Sequence, residues 1–134
     1  MSGDSNVKRS VIVVDDEPDT CSVIKKFIDG KSYRVSTFTN PSLALEYFKQ
    51  EPEKYNILIT DIRMPEMNGF ELARNVKSIS PQTKVVAMTA FEINPSEFEK
   101  VLPHTVIEAF MKKPISMQQL KEVLENLSTN IYTR

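Results

Sequence analysis

The stretch "VIVVDDEPD" (residues 11–19) runs four branched apolar residues into five positions that hold four acids. A continuous apolar run of this kind suits a strand buried on both faces, as in a parallel sheet. Its carboxyl end then crowds Asp15, Asp16, Glu17 and Asp19 together. Carboxylates this close resist ionising together unless a cation neutralises them. Pro18 suits the first turn of a helix, where its missing N–H costs nothing, so the acids sit at a strand-to-helix turn.

Outward from there, the hydrophobic period keeps switching. "ILIT" (57–60) and "VVAM" (85–88) repeat the buried-strand run. "YRVSTF" (33–38) alternates, with Tyr33, Val35 and Thr37 on one side, and "VIEAF" (106–110) is interrupted by Glu108. Both read as edge strands. Helical stripes lie between them: Cys21, Ile24, Phe27 and Ile28, stopped by Gly30, and then Leu43, Ala44, Tyr47 and Phe48 after the "NP" start at 40–41. Leu72, Ala73, Val76 and Ile79 form the third stripe, and a weaker one spans 94–103 on Phe98, Val101 and Leu102. The last is Met117, Leu120, Leu124 and Leu127, capped by Ser116.

Five strands alternating with five helices predict an α/β fold, a parallel sheet with helices on both faces. With the second and fifth strands at the edges, the doubly wound, flavodoxin-like order 2-1-3-4-5 fits best. One domain is expected over 1–134, with a core from about 8 to 127 between short polar tails. Ligands of such sheets bind at the carboxyl ends of the strands, where the winding reverses between the first and third.

Composition narrows the partners. A net charge of −1 over 134 residues gives no reason to expect nucleic acid or an anionic membrane. The polar opening "MSGDSNVKRS" is no secretion signal, and no apolar run approaches the ~20 residues that cross a bilayer. The lone Cys21 reads as a small core residue. A cytoplasmic protein is expected.

The predicted topology gathers chemistry at one edge. Asp15 and Asp16 follow the first strand and Asp61 follows the third. Asp16 or Glu17 could cap the next helix, but one acid satisfies a cap and three need another explanation. An all-oxygen cluster suits Mg2+, a hard ion that shares oxygens with a phosphate. Thr89 ends the fourth strand, and Lys112 and Lys113 follow the fifth. A hydroxyl and an ammonium complete what a phosphoryl group would need, and the residues alone do not choose between the lysines. Glu17 and Asp19 are left to the start of the first helix, where negative charge suits the dipole.

In order and spacing, "VVDDEP", "ILITDIRMPEMNGFEL", "MTA" and "KKP" resemble the signature blocks of response-regulator receiver domains, from about Lys8 to Leu127. The likeness is to the stand-alone, chemotaxis-regulator type of two-component signalling. It implies a phosphoprotein in which Asp61 accepts a phosphoryl group from a sensor histidine kinase or phosphotransfer protein. The resemblance further implies Mg2+ bound by Asp16, Asp61 and the backbone carbonyl of Arg63, with Asp15 acting through water. Lys113 would be the phosphate-binding lysine, before a cis bond to Pro114. Such a chain is not a turnover enzyme; it promotes its own phosphorylation and dephosphorylation. Thr89 and Phe110 would switch the face built from the fourth helix, fifth strand and fifth helix. Arg63 and Phe91 would tune hydrolysis, and neither orients a water, so slow self-dephosphorylation is expected.

The chain departs from the family pattern between Pro95 and Val106, where Pro103 should end the fourth helix early. His104 in that segment is assigned no role. Two other functions compete. A phosphorylation-independent interaction or dimerisation module would have no need of repelling acids. A Mg2+-dependent phosphohydrolase would show "DxDxT", whereas "DIRMP" begins at Asp61.

Overall fold

A computed structural model describes residues 8–30, 32–90 and 107–130, with side chains described as far as 127. The elements are β1 (Arg9–Val14), α1 (Pro18–Ile28), β2 (Tyr33–Phe38), α2 (Pro41–Gln50), β3 (Ile57–Asp61), α3 (Gly69–Ile79), β4 (Lys84–Thr89), β5 (Ala109–Lys112) and α4 (Met117–Asn130). All neighbours pair in parallel, in the order β2-β1-β3-β4-β5. The fold class and strand order are those expected from the sequence. The predicted helix at 94–103, with Phe91, Pro103 and His104, lies outside the described residues.

Strand alternation divides the core in two. Val11, Val13, Ile57, Ile59, Val86, Met88 and Met111 face Cys21 and Ile24 of α1 and Leu120, Leu124 and Leu127 of α4. Ile12, Val14, Leu58 and Val85 face Ala44, Leu45 and Phe48 of α2 and Leu72, Ala73 and Val76 of α3. Each such side chain contributes ~1.5–3 kcal/mol by leaving water, so a one-residue slip of any strand would turn its row out of both layers. Among the described residues no helix is long and apolar enough to cross a membrane.

Four helix positions, Ile79 among them, differ from the predicted stripes. Phe27, Leu43 and Tyr47 are about half exposed. At 100° per residue, Cys21, Ile24 and Ile28 share a narrow arc, and Phe27 stands roughly 90° from its middle. On α2 the buried arc is Ala44, Leu45 and Phe48, which turns Leu43 and Tyr47 outward. Tyr47 packs instead on Phe38, ring centroids 5.1 Å apart. Ile79 lies at the rim.

The fifth strand also begins later than the predicted 106–110, at Ala109. Glu108 explains the shift. Its N–H donates to Val85 O at 2.9 Å, and its own Oε1 accepts from Val85 N–H at 2.7 Å. Its Oε2 pairs with Lys77 at 2.8 Å. A side chain thus stands in for backbone at the start of the ladder, which then runs on through Lys112.

Candidate functional site: an acid and lysine cleft

The register of the sheet brings the acids together. Val14 pairs with Thr60, so Asp15 and Asp61 leave adjacent strands side by side. One carboxylate oxygen from each of Asp15, Asp16 and Asp61 lies within 4.8 Å of the others. Asp15 is fully buried, Asp61 nearly so, and Asp16 is exposed.

Short backbone contacts hold these side chains. Asp15 Oδ1 accepts from the N–H of Glu17 at 2.9 Å, and Asp61 Oδ1 from that of Ile62 at 3.0 Å. The loop after β3 is anchored by Ile62 N–H donating to Met88 O (3.0 Å) and Gly69 N–H donating to Ile62 O (2.7 Å). Gly69 approaches so closely that a Cβ there would collide with the Asp61 carbonyl. The same turn starts α3 with a capping box, Asn68 and Glu71 each binding the other's backbone N–H. The Asn-x-x-Glu spacing in "NGFE" is the sequence signal for it.

Lys113 supplies the positive charge. Its Nζ stands 2.7 Å from Asp15 Oδ2, 3.1 Å from Glu17 Oε1 and 3.6 Å from Asp61 Oδ1. The Asp15 contact is an ion pair without hydrogen-bond geometry, for Oδ2 has no hydrogen-bond partner. The two lysines lie in different places: Lys112 closes β5 opposite Thr89, and Lys113 enters the acid cluster. The Lys113–Pro114 peptide is cis, as the resemblance implied.

The charges perturb one another. Burial first, and then the Asp15 charge, push the Asp61 carboxyl up from 3.8 to about 6, against the opposing pull of Lys113. Burial likewise raises Asp15, partly offset by Lys113. For Lys113 burial acts downward, but the Asp15 and Glu17 carboxylates outweigh it and hold the ammonium above its ordinary value. Cys21 is buried, its thiol donating to Asp15 O at 3.5 Å, and burial raises it to about 11. That is an inert core thiol.

A cleft of about 240 Å³ opens over the cluster, lined by Asp16, Asp61, Arg63, Thr89 and Lys113, joined by Glu17 and Ala90. Asp15 lies beneath it. Mg2+ takes six oxygens at ~2.0–2.1 Å, which places ligand atoms about 3–4 Å apart. Three carboxylates within 4.8 Å, one carrying a buried oxygen without a hydrogen bond, fit that ion. Thr89 is buried at the end of β4, and strand alternation puts it on the same sheet face as Phe110, which stands half-buried opposite Ala87.

Glu17 stands at the start of α1, in the N-cap position, but its side chain caps no helix N–H. Its Oε1 accepts from the Thr20 hydroxyl at 3.5 Å and from Lys113 at 3.1 Å. Sequence spacing gave no hint of the lysine contact, because Glu17 and Lys113 are 96 positions apart.

The comparisons with known proteins agree with this fold. The family model described as "Response regulator receiver domain" matches residues 11–125. The two-component response regulator ARR11 of Arabidopsis thaliana is 31% identical over 126 residues, 94% of this chain but only 24% of that protein's length. The response regulator receiver protein CpdR of Brucella abortus is 29% identical, covering 89% of this chain and 96% of its own. The crystal structure of a receiver domain protein from Clostridium thermocellum superposes with a TM-score of 0.80 at 22% identity, covering 91% of this chain and 95% of that one. Since the matched span contains every element from β1 to the middle of α4 and all the acids of the cleft, the chain belongs to the response regulator receiver domain family of two-component signalling.

Proposed function

We propose that Asp61 accepts a phosphoryl group from a phosphohistidine of a sensor histidine kinase or phosphotransfer protein, in an Mg2+-dependent reaction in the cytoplasm. The observation that carries this is the position of Asp61, a nearly buried carboxylate on the cleft wall between two further acids and a lysine. Asp16, Asp61 and the Arg63 carbonyl would hold the ion, with Asp15 acting through water. Bound Mg2+ supplies neutralisation of charge on the phosphoryl oxygens.

With its carboxyl at about 6, Asp61 is mostly ionised at neutral pH and needs no base. A carboxylate oxygen bonds to phosphorus as the N–P bond of the donor breaks, and the departing imidazole keeps the electron pair and takes a proton from water. Such transfers pass through a loose transition state, so positioning and charge balance dominate. The Ile62 N–H orients the carboxylate, and Lys113 and the Thr89 hydroxyl meet the transferred oxygens. The product is a 4-aspartylphosphate, a labile acyl phosphate suited to a timed signal.

Thr89, drawn toward that phosphate, would carry the change to Phe110 and so to the face around β5 and α4, where a downstream protein reads it. Arg63 at the cleft mouth offers no carboxylate or amide to orient an attacking water, which supports slow self-dephosphorylation. Incubation with acetyl phosphate and Mg2+ followed by intact mass tests the proposal. One phosphoryl adduct, lost in Asp61→Asn, is expected. No adduct would leave a phosphorylation-independent module, and phosphate release without adduct would indicate a hydrolase.

A further inference from the structure

Glu17 stands where two hollows meet. It lines the acid cleft, and it also lines a larger, mainly apolar hollow of about 490 Å³ between α1 and the turn after β5, walled by Val23, Ile24, Ile115 and Met117. Lys113 lines both as well, so the ion pair between them forms part of the partition. Glu17 Oε1 is 3.1 Å from Lys113 Nζ, while the nearest Asp61 oxygen is 3.6 Å away. The ammonium therefore rests nearest to buried Asp15, at 2.7 Å, and closer to Glu17 than to the acceptor.

We propose that Glu17 is a positioning residue for Lys113, holding its ammonium on the α1 side of the cleft until a phosphoryl group on Asp61 takes it over. The proposal rests on Asp61 being the phosphoacceptor. A phosphoryl dianion is a stronger partner for an ammonium than one exposed carboxylate, so the exchange is favourable once transfer is under way. During approach, however, Glu17 competes for Lys113. Removing that competitor should speed phosphorylation by roughly two- to fivefold, the scale of an exposed ion pair.

The test compares phosphorylation rate constants with acetyl phosphate at saturating Mg2+, read by intact mass. Glu17→Gln, which keeps the length and removes the charge, should be faster than the parent. Glu17→Asp separates tethering from helix capping and from charge at the cleft mouth. Asp is the better N-cap and keeps the charge, but it is one methylene too short to reach Lys113. A tether makes Asp behave like Gln, whereas a cap or a purely repulsive charge makes it behave like the parent. In a Lys113→Met background the Glu17→Gln effect should vanish; if that background reacts too slowly to time, the Asp variant decides. A Gln variant no faster than the parent, a parent-like Asp variant, or a Gln effect undiminished without Lys113 would overturn the role of Glu17. Absence of any adduct on the parent would instead overturn Asp61 as the acceptor.

Discussion

Lys113 Nζ lies 2.7 Å from Asp15 Oδ2, an oxygen with no hydrogen-bond partner on a residue wholly out of solvent. The receiver site is therefore held together before any phosphate arrives by one ammonium facing several acids. Removing one partner of a buried pair leaves the other charge uncompensated. Lys113→Met should destabilise the Mg2+-free protein by about 2–4 kcal/mol at pH 7, and saturating Mg2+ should restore much of the loss. Urea unfolding with and without the ion measures both.

The raised Asp61 carboxyl gives a pH signature. Its folded value, about 6, exceeds its ordinary 3.8, so the folded protein holds this proton more tightly than the unfolded chain. Stability from this group is present below pH 4 and is lost as pH rises toward 6. A rise from 3.8 to about 6 amounts to on the order of 3 kcal/mol. Asp61→Asn should match the parent near pH 4 in Mg2+-free buffer and exceed it by roughly that amount above pH 7. A constant difference across the range would refute the assignment.

Glu108 offers a test of the strand ladder. Its carboxylate accepts from Val85 N–H and pairs with Lys77. Glu108→Ala orphans a buried N–H, which costs ~1–3 kcal/mol. The Val85 amide should exchange hydrogen markedly faster in that variant, while phosphorylation of Asp61 persists. Unchanged exchange would show that the contact carries no weight.

Thr89 and Phe110 share a sheet face on neighbouring strands. Beryllofluoride with Mg2+ should shift the backbone NMR signals of both residues. In Thr89→Ala the shift at Phe110 should disappear, because the hydroxyl is the proposed link. Phe110 signals that stay fixed in the parent would remove it from the switch.

Much of this was legible because strand burial and strand-end chemistry are written locally. "VIVV", "ILIT" and "VVAM" admit few arrangements, and the order 2-1-3-4-5 brings Asp15, Asp16, Asp61, Thr89 and Lys113 to one edge. Three features were hidden for physical reasons. The carboxylate of Glu17 answers to a lysine 96 positions away as well as to Thr20 in the first turn of its own helix. Phe27 and Tyr47 look like core by type but stand off arcs that only the packed helices define. The start of β5 depends on a Glu108 side chain acting as backbone, which no periodicity encodes.

Asp61 is the proposed seat of the phosphoryl group. After acetyl phosphate and Mg2+ treatment, borohydride reduces an acyl phosphate to an alcohol, converting the modified aspartate to homoserine. Peptide mass mapping should find homoserine at position 61 and nowhere else. Homoserine at Asp15 or Asp16, or none at 61 on a protein that carries the phosphoryl mass, would contradict it.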